Sequence, residues 1–390
     1  MISKVKNILL TFYTDSIYII FNILRPFLKV KKNRLVFIAN YGKLYGCNPK
    51  YISEYILNRD KDNKYEIIWA FDRKHKMRLD SRIKIVTTLS LNYAYAINTA
   101  GFVFNNFRTD FKGSFWRKSK KQRYIMTWHG GMPLKKIEGD VTPVEINYMR
   151  MASIDSQNCD LMMSSASYYD KMIRSAMVYS GEILKCGNPR NDIFFNKKKI
   201  EEASHRIRER YKFGDKKVVL YAPTFRTDHN IDCYNIDWNL IADSIKNLLG
   251  TSDYIVLIRL HPDLVTLVSN KTDGAVNLFD VSNYPDMQEI MCVADIMITD
   301  YSSVMFEFAL MNRPCFIYAT DIDSYDRGFY FNFEDLPFPI SKNNNELKNS
   351  LELFDATIYS KTVSDFMVKK MGVYEHGNAC EKLYDWMQEQ

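Results

Sequence analysis

The chain has 390 residues, of which 46% are hydrophobic and 25% are charged, a composition typical of a globular protein and not of a disordered one. At about 100–200 residues per domain, this length predicts two domains. The net charge of +7 suits an anionic partner, such as a nucleotide, a phosphate polymer or an acidic lipid surface, although it also serves plain solubility. Because the basic residues are scattered and form no stripe, nucleic acid is not expected as a partner.

The cysteines argue against both a disulfide framework and a zinc site, because their number is odd and no two of them form a CxxC pair. They are Cys47, Cys159, Cys186, Cys233, Cys292, Cys315 and Cys380. Several lie in apolar stretches, as Cys315 does in PCFIYA. The pattern favours a reducing cytoplasm as the compartment.

Segment 1–33 combines apolar residues at helical spacing with a basic cluster. The apolar residues are Val5, Ile8, Leu9 and Phe12, and the basic ones are Arg25, Lys29, Lys31, Lys32 and Arg34. The longest apolar stretch, residues 17–24, is far shorter than the ~20 residues of a membrane-spanning helix, and no secretion signal is expected. We predict an amphipathic helix that associates with a membrane surface; a helix that packs on the body of the protein is the alternative.

From residue 34 onward, short apolar runs alternate with helical patterns. The predicted strands of the first half are RLVFIAN (34–40), YEIIWA (65–70), GFVFNN (101–106), RYIMTWH (123–129), DLMMSS (160–165) and EILKCG (182–187). Each is apolar almost throughout, as strands buried on both faces are. This alternation predicts a parallel sheet covered by helices, in a Rossmann-like domain over residues 34–195.

A second α/β half follows a charged stretch. Residues 196–216 are expected to link two domains, because they are rich in charge and contain one predicted helix. The alternation then resumes over residues 217–340, and residues 341–390 read as helices. In open parallel sheets, ligands bind beyond the carboxyl ends of the strands, so the residues at those ends are the candidates for function.

The first candidate is His129 in TWHGGMPLK (127–135). His129 is expected directly after a strand, and Gly130 and Gly131 would let the backbone approach a ligand closely. Pro133 is well placed to open a helix whose N–H groups could hold phosphate. A histidine with a pKa near 6.5 can act as a general base at neutral pH, whereas a histidine satisfied inside a turn is the structural alternative.

Two further motifs end strands of the second half. In RLHP (259–262), Arg259 and His261 alternate along a strand and would share one face, where they could contact phosphate; a surface ion pair is the alternative. In TDYSSVMFEFAL (299–310), the residues of interest are Asp300, Ser302, Ser303 and Glu307. The two serines precede a helix whose start could hold phosphate, and the glutamate could meet ribose hydroxyls; a plain capped helix is the alternative.

Weaker signals come from three other segments. YAPTFR contains Pro223, Thr224 and Arg226, and GNPRND contains Arg190; either arginine could contact a donor diphosphate or an acceptor phosphate. The acidic residues of DIDSYD, namely Asp321, Asp323 and Asp326, favour a solvated loop over a cation site. No GxSxG, HExxH or glycine-rich nucleotide fingerprint is found.

Taken in this order, the motifs resemble the CDP-glycerol glycerophosphotransferase family of teichoic acid and capsule synthesis. The resemblance runs through YGKLYGCNPKYISEYI (41–56), HGGMPLK, GNPRND, YAPTFR, RLHP, TDYSSVMFE and RGFYFNFEDLPFPI (327–340). The chain departs from the usual pattern at Phe338, where the family often has glycine, and at Glu375-His376-Gly377, where it often has Asp-Asp-Gly.

The resemblance implies a GT-B fold, in which two facing Rossmann-like domains enclose the active site. It implies that His129 is the catalytic base in an acceptor domain, and that His261 contacts the phosphates of the donor in a donor domain. The expected substrate-binding residues are Gly130, Lys135, Arg190, Pro223, Thr224, Arg226, Arg259, Asp300, Ser302, Ser303, Glu307 and Arg327.

The implied reaction moves glycerol phosphate, or ribitol phosphate, from a CDP-polyol to a hydroxyl of an undecaprenyl-diphosphate-linked or polymer acceptor and releases CMP. The expected place is the cytoplasmic face of the membrane. No tightly bound cofactor is expected, and no clear site for a divalent cation is found. A glycosyltransferase that uses a nucleotide sugar and a non-catalytic phosphopolymer-binding protein are the competing hypotheses. The sequence leaves the oligomeric state open.

Overall fold

The computed structural model describes residues 16, 19–20, 22–72, 78–88, 90–109, 116–224, 226, 232–260, 277–325 and 328–390. The chain divides into two compact units. Unit 1 comprises residues 1–131, 137–192 and 374–390, and unit 2 comprises residues 132–136 and 193–373. Each unit contains its own parallel sheet, so the α/β class and the two-domain organisation predicted from length and alternation are both present.

Unit 1 is built on a sheet of seven parallel strands. They are β1 (Lys31–Ile38), β2 (Glu66–Phe71), β3 (Ile83–Thr87), β4 (Ala100–Asn105), β5 (Arg123–Met126), β6 (Leu161–Ser164) and β7 (Glu182–Lys185), in the spatial order β3-β2-β1-β4-β5-β6-β7. Its first four helices are α1 (Cys47–Arg59), α2 (Leu91–Thr99), α3 (Ile146–Asn158) and α4 (Ser167–Arg174). Stacked rings on neighbouring strands fill the core, with Phe37 lying 4.5 Å from Phe104 and 5.7 Å from Trp69 between ring centroids.

Unit 2 is built on a second parallel sheet, of six strands. They are β8 (Lys217–Ala222), β9 (Tyr254–Ile258), β10 (Leu278–Asp280), β11 (Ile296–Thr299), β12 (Cys315–Tyr318) and β13 (Ile340–Ser341), in the order β10-β9-β8-β11-β12-β13. Its described helices are α5 (Lys197–Tyr211), α6 (Trp238–Leu249), α7 (Met287–Val293), α8 (Val304–Ala309), α9 (Asn344–Glu352) and α10 (Ala356–Asp365), followed by a π-helical turn (Phe366–Met371).

Both sheets have a point where the strand order reverses. In unit 1 this switch point lies between β1 and β4, and in unit 2 it lies between β8 and β11. The crevice outside the carboxyl ends of the strands at a switch point is where open α/β sheets bind ligands. The segments that leave β1, β4, β8 and β11 are therefore the places to look for a site.

The domain limits differ from those expected from sequence at two places. The charged stretch 196–216 contains α5, which belongs to unit 2, because Ala203 and Ile207 form a narrow apolar stripe that is fully buried. The C-terminal stretch divides: α9 and α10 belong to unit 2, while residues 374–390 and their helix α11 (Ala379–Gln388) return to unit 1. Leu383 and Trp386 of this helix join the core of unit 1.

The N-terminal segment is only partly described. Residues 19–20 and 22–24 are helical, and a 3-10 turn follows at Arg25–Phe27. Val5, Ile8, Leu9 and Phe12 lie outside the described residues, so the amphipathic helix stays a prediction. In the described parts of the chain, no helix is both long enough and apolar enough to cross a bilayer.

Candidate active site

His129 lies on a turn that leaves the sheet beside the switch point of unit 1. Strand β5 ends at Met126, three residues earlier than its apolar run suggests. Thr127 still donates its N–H to the Asn105 carbonyl at 2.8 Å, and Trp128 then adopts a positive φ of 50°. A positive φ is unusual for a bulky residue, so this bend is held by its surroundings and directs His129 away from the strand.

The surroundings of the His129 imidazole favour its neutral form. Its Nδ1 lies 3.0 Å from the carbonyl oxygen of Asn106, and the ring of Phe107 stacks on it with centroids 4.0 Å apart. Burial lowers the pKa of His129 to about 4, helped by the positive charge of Arg190 and opposed by the Asn106 carbonyl. Since a carbonyl can only accept, the proton is on Nδ1, and Nε2 is left as a proton acceptor at neutral pH.

Two asparagines at the switch point hold the segment that orients His129. Asn106 follows β4 and accepts the backbone N–H of Asn40, which follows β1, at 2.8 Å. The Asn106 Nδ2 also donates to the Asn40 Oδ1 at 2.8 Å. Neither residue was singled out from the sequence, although both stand at the ends of strands that the apolar runs predict correctly.

The glycines after His129 face different surroundings. Gly130 is half-buried, whereas Gly131 is buried, and a Cβ at Gly131 would lie 2.3 Å from the Ser165 Oγ and 2.6 Å from the Asn188 Nδ2. Gly131 is therefore required for close packing. The predicted helix at Pro133 is wrong: residues 132–136 belong to unit 2, where Lys135 forms a β-bridge with Phe329.

The GNPRND segment lies in unit 1 with His129. Arg190 is half-buried, its Nη1 lies 3.3 Å from the Cys47 Sγ, and its charge lowers the pKa of His129. Its backbone N–H donates to the Oδ1 of Asn48 at 3.1 Å. Asn48 in turn donates to the carbonyls of Thr127 and Trp128, at 3.0 Å each. Arg190 is thus tied to the His129 turn through Asn48, a residue that the sequence did not single out.

At the switch point of unit 2, three of the predicted residues come together. Buried Pro223 leads from β8 to Thr224, which donates its N–H to the Asp300 carboxylate at 2.9 Å and its hydroxyl at 2.6 Å. Asp300 follows β11 and accepts the Nη1 of Arg226 at 2.9 Å. Burial raises the pKa of Asp300, against the charge of Arg226. Thr224, Arg226 and Asp300 therefore form one buried charged cluster.

Asp321 and two tyrosines complete this cluster. Asp321 accepts the Nε and Nη2 of Arg226, at 2.7 and 3.1 Å, and the hydroxyl of Tyr301 at 2.8 Å. The solvated loop expected for Asp321 is therefore wrong at this residue, which is half-buried. The Arg226 guanidinium lies 4.7 Å from the Tyr301 ring centroid and 5.4 Å from that of Tyr325. Lys135 approaches the same Tyr325 ring, with its Nζ 5.7 Å from the centroid.

Three other predicted donor-site residues have contacts within the protein. The Nη1 of Arg259 donates to the carbonyls of Val281 and Tyr284, and burial lowers its pKa. The buried carboxylate of Glu307 accepts the Nε2 of Gln288 at 2.7 Å. The hydroxyl of Ser302 accepts the N–H of Val304 at 3.4 Å.

The remaining predicted residues are less well placed. Ser303 is half-buried at the start of α8, a helix of six residues, and forms no side-chain cap. His261 and Arg327, as well as Asp326, lie outside the described residues. Among the residues that the structure describes, no group of three or more His, Cys, Asp or Glu side chains could hold a metal ion.

Comparison with known proteins places the sequence in a class of transferases. The profile of the family described as CDP-Glycerol:Poly(glycerophosphate) glycerophosphotransferase matches residues 19–389. The chain therefore belongs to this family, as the order of its motifs indicated.

Individual relatives agree with this assignment. The teichoic acid glycerol-phosphate transferase of Staphylococcus aureus is 32% identical over an alignment of 398 positions, which covers 97% of this chain and 98% of that protein. The teichoic acid poly(glycerol phosphate) polymerase of Staphylococcus epidermidis is 36% identical over 91% of this chain, and the match spans half of that longer protein. A histidine-to-asparagine variant of the wall teichoic acid polymerase TagF, soaked with CDPG, superposes with a TM-score of 0.81 and 30% identity over 100% of this chain and 98% of that one. The GT-B-like α/β fold is thereby shown.

Proposed function

We propose that this protein transfers glycerol phosphate from CDP-glycerol to a hydroxyl group of a teichoic acid acceptor, with His129 as the base. The neutral imidazole carries the proposal, because its Nδ1 proton is committed to the Asn106 carbonyl and its Nε2 is left to accept a proton. The relatives that are 31–36% identical are named for glycerol phosphate, whereas those named for ribitol phosphate are 24–28% identical, which supports glycerol phosphate as the polyol phosphate.

In the proposed reaction, His129 Nε2 removes the proton of the acceptor hydroxyl. The acceptor oxygen forms a bond to the phosphorus that carries glycerol, the bond from this phosphorus to the bridging oxygen of the diphosphate breaks, and CMP leaves with that oxygen. Charge builds up on the phosphate oxygens, so cations and N–H donors are needed around them. We assign this role to unit 2, where Lys135 and the Asp300 cluster lie at the switch point. His261 and Arg327 remain candidates from the sequence.

His129→Ala tests the base directly. We expect the rate of CMP release with CDP-glycerol and a synthetic lipid acceptor ending in glycerol phosphate to fall by at least about 1000-fold, because general base catalysis contributes about 100–10,000-fold. The affinity for CDP-glycerol, measured by calorimetry, should be unchanged. His205→Ala, on the exposed face of α5, is the matched control and should behave as the wild type. A His129→Ala variant that turns over at the wild-type rate would eliminate the proposed base.

A donor panel tests the substrate. We expect CMP release with CDP-glycerol, a slower reaction with CDP-ribitol, and no UDP release with UDP-glucose or UDP-N-acetylglucosamine. UDP release would identify a glycosyltransferase instead, and polymer binding without any nucleotide release would identify a binding protein. Sizing the products by mass spectrometry then counts the units added to each acceptor.

We further propose that the N-terminal part of unit 1 lies on the cytoplasmic membrane surface. Ile19, Ile20, Ile23 and Phe27 are between 51% and 83% exposed. Phe27 lines a cleft of about 1360 Å³ whose basic lining residues are Arg25, Lys29, Lys32, Lys64, Lys118, Lys120, Lys121 and Arg123. Exposed apolar side chains beside cations suit an anionic bilayer. Binding to vesicles with phosphatidylglycerol should exceed binding to neutral vesicles and should weaken in Phe27→Ser; equal binding to both vesicles would contradict the proposal.

A further inference from the structure

We propose that Glu375 is a positioning residue that fixes the direction of the His129 imidazole, acting through Asn188 and Asn48. The inference rests on the proposed role of His129 as the base. Glu375 touches none of the reacting groups proposed above, and it belongs to the segment 374–390 that returns to unit 1. Its effect would pass through buried hydrogen bonds, which can be followed one by one.

The Glu375 carboxylate is the centre of the GNPRND turn. It is buried and accepts the backbone N–H of Asn188 at 3.1 Å, the Asn188 Nδ2 at 3.0 Å and the Asn191 Nδ2 at 2.9 Å. Gly187 has a φ of +93°, and a Cβ there would lie 2.6 Å from the Glu375 Oε2. The turn therefore fits closely around a side chain that offers acceptors to three donors.

One branch of the network reaches the residues before His129. The Arg190 N–H, two residues beyond Asn188 in the same turn, donates to the Oδ1 of Asn48. The Nδ2 of Asn48, which is fully buried, donates to the carbonyls of Thr127 and Trp128. These bonds hold the backbone where Trp128 has its unusual positive φ, and they thereby set the direction in which His129 leaves the turn.

A second branch reaches the residue two positions beyond His129. The Asn188 side chain packs so closely on Gly131 that a Cβ there would lie 2.6 Å from its Nδ2. The hydroxyl of Ser165 donates to the Gly131 carbonyl, and the carbonyl of Ser165 accepts the N–H of Tyr374 at 2.7 Å. The backbone on both sides of His129 is therefore held by groups that depend on Tyr374 and Glu375.

We expect an effect on the rate because the orientation of the His129 imidazole would change. Hydrogen bonds between buried groups fix orientation, and a misplacement of a catalytic group by about 1 Å can cost on the order of 100-fold in rate. The Oε1 of Glu375 accepts from all three donors, so replacing Glu375 by Leu, a side chain of similar size, removes the acceptor that they share. The turn must then shift, and the His129 loop must shift with it.

The experiment compares Glu375→Leu, Glu375→Gln and Glu381→Gln. In Glu375→Gln the amide oxygen can take the Oε1 position and still accept from the Asn188 N–H, the Asn188 Nδ2 and the Asn191 Nδ2. Glu381 is the matched control on the same returning segment: its side chain is exposed and pairs with Arg59. Rates of CMP release are divided by the number of CDP-glycerol binding sites found by calorimetry.

We expect Glu375→Leu to lower kcat per binding site by about 10–100-fold, with the CDP-glycerol affinity unchanged. Glu375→Gln should recover at least half of this loss on a logarithmic scale, and Glu381→Gln should match the wild type. The proposal is overturned if Glu375→Leu keeps the wild-type kcat per site, even with a lower melting temperature, or if Glu375→Gln is no faster than Glu375→Leu.

Two further measurements separate the possible failures. If Glu375→Leu does not fold, Glu375→Asp, which keeps the charge but shortens the side chain, takes its place; a wild-type kcat in that variant overturns the proposal. His129→Ala is measured in parallel. An inactive His129→Ala beside a fully active Glu375→Leu rejects only the positioning role, whereas an active His129→Ala rejects the proposed base itself.

Discussion

The two switch points of this protein have the same place in their sheets but opposite chemistry. Around His129 in unit 1, the contacts are made by amides, carbonyls and an aromatic ring, and the imidazole is neutral. Around Asp300 in unit 2, carboxylates, a guanidinium and tyrosine rings form a charged cluster. Under the proposed roles, the base is surrounded by groups that keep the imidazole uncharged, whereas the phosphate-binding region contains charged side chains.

We infer that the two switch points have different tasks in the proposed reaction. If this division holds, changes in unit 1 should alter kcat and its pH dependence, and changes in unit 2 should alter the affinity for CDP-glycerol. Each of the following variants tests one side of this division.

The largest effect is expected for Asp300→Asn in unit 2. Loss of this buried charge leaves Asp321 as the remaining carboxylate paired with Arg226 and disturbs the Thr224 turn. Hydrogen bonds to charged groups are worth about 1.5–3 kcal/mol, so we expect the affinity for CDP-glycerol to fall by about 30–100-fold. Calorimetry measures this directly. Asp295→Asn is the matched control, because Asp295 lies before the same strand and pairs with Lys217. Unchanged donor affinity in Asp300→Asn would contradict the assigned role of unit 2.

An intermediate effect is expected for Phe107→Leu in unit 1. The stacked ring shields the imidazole from water and limits its rotation, and such aromatic pairs are worth about 0.5–1.5 kcal/mol, so kcat should fall by about 3–10-fold. The donor affinity should be unchanged. Phe279→Leu, on the half-buried strand β10, provides a control for the loss of a ring elsewhere. An effect on donor affinity instead of kcat would contradict the assignment of different tasks to the two units.

The smallest effect is expected for the pH dependence of kcat/KM. Because burial lowers the pKa of His129 to about 4, its neutral form persists well below pH 6.5, and kcat/KM should decline only as the pH falls toward about 4. Arg190 contributes to this depression, so Arg190→Gln should move the decline to higher pH. Rates between pH 4 and 8, corrected for the fraction of enzyme still folded, provide the measurement. A decline centred at 6.5 in the wild type would contradict the lowered pKa of His129.

Much of the fold could be predicted because its strands are buried on both faces. All six apolar runs that we identified in the first half contain strands, as in Val36–Ile38. Strand β3 escaped notice because it lies at the edge of the sheet and only Ile83 of its five residues is buried. Strand β13 has two residues, too few to show a periodic pattern. Residues 196–216 were expected to be a linker because they are rich in charge, and of the 15 residues of their helix α5 only Ala203 and Ile207 are buried.

The candidate site could be predicted only in part, since the sequence shows which residues end strands but not what they meet. His129, Thr224, Arg226 and Asp300 lie within four residues of the end of a strand and were identified. Pro133 opens no helix, because the nearby residues pair with Phe329, almost 200 positions away in the sequence. Asn40, Asn48, Asn106 and Glu375 carry no signal of their own, and only the folded chain brings them to the His129 turn.

The return of residues 374–390 to unit 1 has a consequence for how the protein is made. A ribosome synthesises the His129 turn long before Glu375 and Trp386. After residue 192, about 180 further residues must be made before the core of unit 1 and its GNPRND turn are complete. Unit 2, whose segments are nearly contiguous, can fold in the meantime. Contacts between distant parts of a chain slow folding. The proposed base would therefore acquire its final geometry last, after unit 2 has been assembled.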